Sequence, residues 1–375
     1  MMTPALRGLS LLACALLLNA CTLSPARLHA PATALAPPTR AAADPTRVTE
    51  AWISPPQADE QLDSLAVWPN EDGDLWVIAT AKATHRLVVF DGQTGRRLRT
   101  VGGPGSGPGQ FQRPNGIAVF GDHVYVSERD NTRVQILSLP EFEPVASFGQ
   151  AELRLPYGLW VHETAPGDLE VHVTDSFMAD FERGLLPPAA QLNQRVRRYR
   201  LRFPPPDSGD KAPEVTYQGS NGETADEGVL HMVESIAGDP VHDRLLIADE
   251  DRRVGSTLRD YSLATGRYRG HSLPMFDYEA EGVALWSCDM EAGYWVAVDQ
   301  VPLTRFRLFT RAGLAPAGVF VGKRTARTDG VALHAASTPR FPFGVLYAVH
   351  DDHALAAFDL AEVAHALALD PRCLQ

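Results

Sequence analysis

Cysteine, basic charge and unbroken apolar sequence are all scarce in this 375-residue chain. It has four cysteines, two of them within the first 21 residues, so no dense disulfide framework holds it. Lys and Arg number 34 against 46 Asp and Glu, a formal net charge of −12. That deficit argues against general nucleic-acid binding, which needs clustered basic residues. With 30 Gly and 29 Pro, punctuation is frequent and leaves little room for long helices. What remains, 45% apolar and 21% charged residues, is ordinary for a folded protein of one large or two small domains.

The apolar stretch Leu9 to Leu18 follows Arg7 and is too short to cross a bilayer as a stable helix. It reads as a secretory signal, and Leu18-Asn19-Ala20-Cys21 resembles a bacterial lipobox with Cys21 as the lipidated residue. A plain signal cut after Ala30 is the alternative. Thr22 after the cysteine implies sorting to the outer membrane of a Gram-negative bacterium, with membrane contact through lipid alone. Residues 22–50, rich in Ala, Pro and Thr, read as a disordered tether, and residues 51–375 as the folded domain. Cys288 and Cys373 remain, and export would allow them to pair.

Beyond residue 50 one phrase recurs: a polar residue, a small residue, a short apolar strand, a turn, and a second apolar strand. The copies open at Asp63, Asn115, Tyr157, Glu234, Glu281 and Asp329, separated by 52, 42, 77, 47 and 48 residues. Three or four short strands per unit at this period predict an all-β fold, a six-bladed β-propeller with about four antiparallel strands per blade. The long third interval predicts an insertion over 178–229, a surface loop plus the outer strands of blade 3. Leu360 to Leu369 is the one helix expected.

In a propeller, equivalent positions form rings about one axis. The opening residues give a ring of Asp63, Asn115, Tyr157, Glu234, Glu281 and Asp329. The ends of the second strands give another, Lys82, Arg129, Ser176, Glu250, Gln300 and Asp351, with Asp249, Asp299 and His350 one place earlier. Crowded carboxylates cannot all stay ionised without cations, and oxygen donors at this density point to Ca²⁺ rather than zinc. Lys82 and Arg129, beside Tyr157, suit phosphate. Pairing of both with acids across blades is the other reading, and the residues alone leave the two open.

These residues resemble the β-propeller (alkaline) phytases, six-bladed calcium-dependent phosphatases. The resemblance runs over about residues 60–368. It rests on Leu62-Asp63-Ser64-Leu65-Ala66-Val67-Trp68, Thr80-Ala81-Lys82, Ile247-Ala248-Asp249-Glu250-Asp251, Glu279-Ala280-Glu281-Gly282, Thr328-Asp329-Gly330 and Phe341-Pro342-Phe343-Gly344. It implies Asp63, Glu234, Glu250, Glu279, Glu281 and Asp329 as calcium ligands, with Lys82, Arg129 and Tyr157 holding substrate phosphates. Calcium-activated water would then attack phosphorus.

The chain also departs from that family. Ser176-Phe177 stand where it carries a Lys-Glu pair, and Ser64 replaces the second aspartate of its opening pair. Blade 2, from Gly109 through Asn115 to Val134, resembles an NHL repeat instead. The function expected is calcium-dependent hydrolysis of a phosphomonoester such as a myo-inositol phosphate, by a monomer. Two alternatives stand beside it: a calcium lactonase, which Asn115 would suit, and a non-catalytic NHL-like binding module with structural calcium.

Overall fold

A computed structural model describes residues 44–70, 73–205 and 207–375; the leader, the lipobox with Cys21 and residues 22–43 of the tether lie outside the described residues. The described chain is a six-bladed β-propeller in which each blade has four antiparallel strands. From the axis outward, blade 1 runs Leu62–Pro69, Leu75–Ala81, Arg86–Asp91 and Arg97–Val101. Blades 2 to 5 follow the same order, their innermost strands being Pro114–Phe120, Pro156–Ala165, Val233–Asp239 and Ala280–Ser287. Blade 3 takes its two outer strands, Val196–Arg202 and Glu214–Asn221, from the long insertion, as the spacing predicts. Among the described residues no helix is long and apolar enough to cross a membrane.

Blade 6 draws only three strands from the C-terminal part, Val331–His334, Val345–His350 and Ala354–Asp359. Its fourth is Trp52–Ile53, antiparallel to Ala354–Asp359, so the two ends of the domain close the ring together. Thr46–Arg47 adds a parallel strand to the outer edge of blade 5, and Val48 is buried beside it. Thr46–Arg47, placed in the tether by composition, are therefore built into the sheet.

The core lies between blades. Second strands are packed from both sides, and Leu75–Ala81 is buried at every position but one. Outermost strands alternate, as in Arg97–Val101, where arginines face outward and guard the edge against pairing. Each blade interface has its own apolar cluster, with 11 to 15 buried residues at five of them. The interface of blades 3 and 4 has only eight, and Val196 is the one contributed by a strand of blade 3.

The expected helix forms at Leu360–Leu367, with Asp359 as N-cap accepting from the Ala361 N–H. Its buried face, Leu360, Val363 and Ala364, packs into the cluster between blades 5 and 6. Cys288 and Cys373 are disulfide-bonded, pinning the C-terminal tail to the first hairpin of blade 5.

Candidate functional site

The repeat builds the channel in layers. Behind the opening residues comes a small one in every blade: Ser64, Gly116, Gly158, Ser235, Gly282 and Gly330. Leu65, Ile117, Leu159, Ile236, Val283 and Val331 form an apolar collar below it, and the open cavity that these layers help to line is about 360 Å³. The small layer is required by how closely the inner strands approach. A Cβ on Gly116 would lie 2.3 Å from the Tyr157 carbonyl oxygen, and one on Gly330 would lie 2.4 Å from that of Asp63.

Neighbouring blades are tied at this level by hydrogen bonds to the opening residues' own carbonyls. In the first half of the ring the donor is a second-strand hydroxyl. Thr80 Oγ1 donates to Asn115 O at 2.7 Å, Ser127 Oγ to Tyr157 O, and Thr174 Oγ1 to Glu234 O at 2.7 Å. In the second half the backbone takes over, Gly282 N–H donating to Asp329 O at 2.8 Å and Gly330 N–H to Asp63 O at 2.9 Å. Five of the six opening residues, Glu281 being the exception, are thus held through their own carbonyls.

The expected acids do converge, but in two unlike halves. On one side Lys82 Nζ lies 2.7 Å from Asp63 Oδ1 and 3.4 Å from Asp329 Oδ2. Gln300 Nε2 donates to the other oxygen of Asp329, and Ser64 Oγ donates to Asp63 Oδ2 at 3.3 Å. Burial opposes a charged Lys82, yet Asp63 and Asp329 outweigh it and raise its pKa. On the other side no hydrogen bond or ion pair from the described residues reaches the carboxylates of Glu234, Glu250 or Glu281. Asn115 Oδ1, on the same ring, is a buried acceptor without a partner.

The electrostatics follow that division. Burial, and then the charge of Glu250, hold Glu234 well above the usual carboxylate range. Burial and then Glu234 do the same to Glu281, and burial followed by Asp63 does so to Asp329 against the pull of Lys82. Burial, with Glu279 and Asp249 behind it, pushes Glu250 up to about 8. Glu279 sits further out, 4.0 Å from Arg252, and burial raises it despite that partner. Among the described residues no three channel carboxylates bring ligand atoms within 4.8 Å of one another. The donor set suits a hard cation chemically, on the side of Glu234, Glu250, Glu281 and Asn115; Lys82 already neutralises the other side.

Of the expected phosphate ligands, Arg129 and Tyr157 stand together, the guanidinium opposing the rise that burial imposes on the phenol. Burial, then Glu234, raises the Tyr157 phenol, which therefore stays protonated. Arg129 Nε also pairs with Asp130 at 2.6 Å, and its guanidinium lies 5.4 Å from the ring of Phe181, which is exposed. Ser176 is buried, and Phe177 after it is packed between Arg154 and Arg195, at 3.5 and 4.8 Å, so no cationic side chain stands at these two positions.

Asp249 and Asp299 do not belong to the channel group by their contacts. Each is fully buried and bound to an arginine of the third strand, Asp249 to Arg259 at 3.3 Å and Asp299 to Arg307 at 2.5 Å. Asp249 also accepts from the N–H groups of His231 and Met232, and Asp299 from those of Asp277 and Tyr278, fastening the loop before the inner strand. Glu128 with Arg133 and Asp175 with Arg197 repeat the device in blades 2 and 3. Asp351 is turned away to Arg327 at 2.9 Å, and His350 Nδ1 accepts from Ala326 N–H.

One polar cluster escaped the ring reasoning. His162, Glu170 and His172 of blade 3 bring three ligand atoms within 4.8 Å. Burial, then His172, push His162 down to about 4, so its imidazole is neutral at pH 7. The signal was the same-face alternation Glu170-x-His172, but its partner His162 lies on the adjacent strand and only register reveals it.

These features define a six-bladed β-propeller with an acidic channel mouth. Residues 111–137, within blade 2, match the NHL repeat family. The chain is similar in structure to hydrazine synthase of Kuenenia stuttgartiensis, at 12% identity and a TM-score of 0.50, over 84% of this chain and 82% of that one. It is also similar to a chain of a nidogen/laminin complex, at 15% identity and a TM-score of 0.48, over 74% and 87% of the two chains. At these identities the likeness is one of fold. No curated protein matches the chain.

Proposed function

We propose that the channel mouth binds calcium and hydrolyses a small phosphate monoester. The observation that carries this reading is the trio of Glu234, Glu250 and Glu281, whose carboxylates have no hydrogen-bond or ion-pair partner among the described residues, with Tyr157 near Glu234 and Glu250. Three such carboxylates are stable together only when protons or a cation compensate them. With ligand atoms this widely spaced, calcium would be held by few protein oxygens, Asn115 Oδ1 among them, and by water. The bound ion supplies a Lewis acid and an activated water. Arg129 orients the phosphoryl oxygens, with Tyr157 O–H beside it, above the apolar collar of the channel. With Lys82 engaged and Ser176 in place of a lysine, Arg129 alone is left to meet an anion, by exchanging Asp130 for it, which suits a single phosphate better than a densely phosphorylated inositol. The expected lipid on Cys21 would place this activity at a membrane surface.

The second reading is a non-catalytic, calcium-stabilised binding propeller. It is favoured by the pairing of Lys82 with Asp63 and Asp329 and of Arg129 with Asp130, which leaves no idle cation. Phosphate release from an aryl phosphate and from phytate, with calcium and then with chelator, separates the two. A lactone is run in parallel for the lactonase alternative. Calcium-dependent release lost in Arg129→Ala supports hydrolysis. Calcium binding without turnover of any ester supports the second reading, and absence of calcium binding overturns both.

A further inference from the structure

The interface between blades 3 and 4 is poor in apolar residues because blade 3 presents polar ones there. Trp160, His162, Glu170, His172, Arg198 and Arg200 share the face turned to blade 4. The Trp160 ring lies against Gly238, where a Cβ would meet it at 2.3 Å. Cross-strand register sets His162 opposite Glu170, and Trp160 opposite His172. Trp160 stacks on His162 with ring centroids 4.5 Å apart, which fixes that imidazole's plane.

Glu170 Oε2 is the centre of the group. It lies 3.8 Å from His162 Nε2 and 3.7 Å from His172 Nε2, too far for a hydrogen bond to either. Glu170 Oε1 faces Arg198 at 3.7 Å, so the arginine takes one carboxylate oxygen and leaves the other to the imidazoles. His172 is completely buried, yet neither ring nitrogen has a hydrogen-bond partner, and His162 Nδ1 has none either. An imidazole in that state is destabilising, because each unmet polar group has given up its water without a replacement.

We propose that His162, Glu170 and His172 form a binding site for a zinc-class divalent transition-metal ion between blades 3 and 4. Two imidazole nitrogens and a carboxylate oxygen are the borderline donors such an ion prefers. Tetrahedral bonds of about 2.0–2.2 Å set neighbouring ligand atoms about 3.3–3.6 Å apart. The 3.7 and 3.8 Å to the carboxylate are within a few tenths of an ångström of that, and the three ligand atoms lie within 4.8 Å of one another, so binding would draw the two imidazoles together. The ion would satisfy the orphaned Nε2 of His172. A cleft of about 280 Å³ lined by Thr164, Glu170, Arg200 and Gln218 adjoins the carboxylate and leaves room for water as fourth ligand. The site is independent of the channel and differs from it in donor chemistry.

The test uses the full chain, stripped with chelator and dialysed against Zn²⁺ in excess calcium, so that oxygen-only sites are filled. One zinc per chain is expected, and Co²⁺ in its place gives the visible d–d absorption of a four-coordinate site. His162→Gln and Glu170→Gln, both at partly exposed positions, should each weaken zinc binding by about tenfold or more while melting as the native chain does without zinc. His172→Gln is the buried counterpart and should do the same if it folds. The inference is overturned if the native chain retains no stoichiometric zinc, or if folded His162→Gln and Glu170→Gln both retain it unchanged.

Discussion

Lys82 of blade 1 bridges Asp63 of its own blade and Asp329 of blade 6, at 2.7 and 3.4 Å, so a single ammonium closes the acid ring across the seam where the chain ends meet. Lys82 keeps 16% of its side-chain surface exposed, and Asp63 and Asp329 keep 11% and 14%. Removing one partner of a pair this enclosed leaves the other charge uncompensated, at a cost of about 3 kcal/mol. Lys82→Met should lower the urea midpoint accordingly. Calcium should restore more stability to the variant than to the native chain, because the freed Asp63 and Asp329 become cation ligands. Equal calcium effects in both would show that these two acids do not take a cation.

The hydroxyl ties between early blades make a second, local prediction. Thr174 Oγ1 donates at 2.7 Å to the carbonyl of Glu234, whose side chain projects into the uncompensated half of the ring. Thr174→Val keeps the shape but leaves that carbonyl unpaired, costing about 1–2 kcal/mol. Calcium affinity should fall as well, because the Glu234 backbone is no longer held. A thermal melt and a calcium titration read the two effects separately. A drop in stability with unchanged affinity would remove Glu234 from the ligand set.

The ring itself was legible because the opening phrase repeats, and Asp63, Glu234, Glu281 and Asp329 fall at its first position. What the phrase could not show was pairing. Asp249 and Glu250 are neighbours in sequence, yet Asp249 is consumed by Arg259 and the loop before the blade, while Glu250 is left free. That difference depends on which face of the strand each occupies and on a third-strand partner ten residues away. Trp52–Ile53 was hidden for another reason. Two residues carry no periodicity, and their strand exists only because blade 6 lacks an outer edge. The Cys288–Cys373 bond joins positions 85 residues apart, which spacing alone could leave only as an option.

Closure by Trp52–Ile53 predicts a sharp truncation boundary. Ala51 N–H donates to Ala357 O at 2.7 Å, Ser54 N–H to Leu355 O at 2.8 Å, and the Trp52 ring lies 5.7 Å from that of Tyr347. A chain beginning at Ser54 loses the Ala51 bond and the Trp52 ring and exposes most of the apolar strand Ala354–Asp359 as an open edge, a template for pairing between chains. It should aggregate in light scattering, whereas one beginning at Asp44 should be monodisperse. A monodisperse, fully cooperative Ser54 chain would contradict the closure.

The raised carboxylates set a pH dependence with a definite sign. Glu250 sits at about 8 when folded against the model-peptide 4.5, and Glu234 and Glu281 are raised well above theirs. Between about pH 4.5 and 8 the unfolded chain therefore binds fewer protons than the folded one. Stability from these groups is present at acid pH and falls as pH rises, by up to about 1.4 kcal/mol per pH unit for each group that differs in protonation. In chelator the urea midpoint should drop from pH 5 to pH 8. Calcium should flatten the slope, and at neutral pH its binding should release protons. A midpoint rising with pH in chelator would show that these acids are compensated by something else.

Glu281→Gln should separate the cost of the cluster from its use. Glu281 is 8% exposed, unpaired, and feels the charges of Glu234, Glu250, Asp329 and Asp63. Gln keeps the shape and removes one of the mutually repelling charges, so in chelator the variant should be more stable than the native chain at pH 8. The gain should shrink toward pH 5, where the native Glu281 is protonated and neutral. In calcium the order should reverse, because the native chain gains binding energy that the variant lacks, and that increment grows with the concentration of free ion. The four melts, two chains with and without calcium, form a cycle in which a purely packing role for Glu281 predicts parallel shifts. Opposite signs in chelator and in calcium are the mark of a carboxylate kept for a cation.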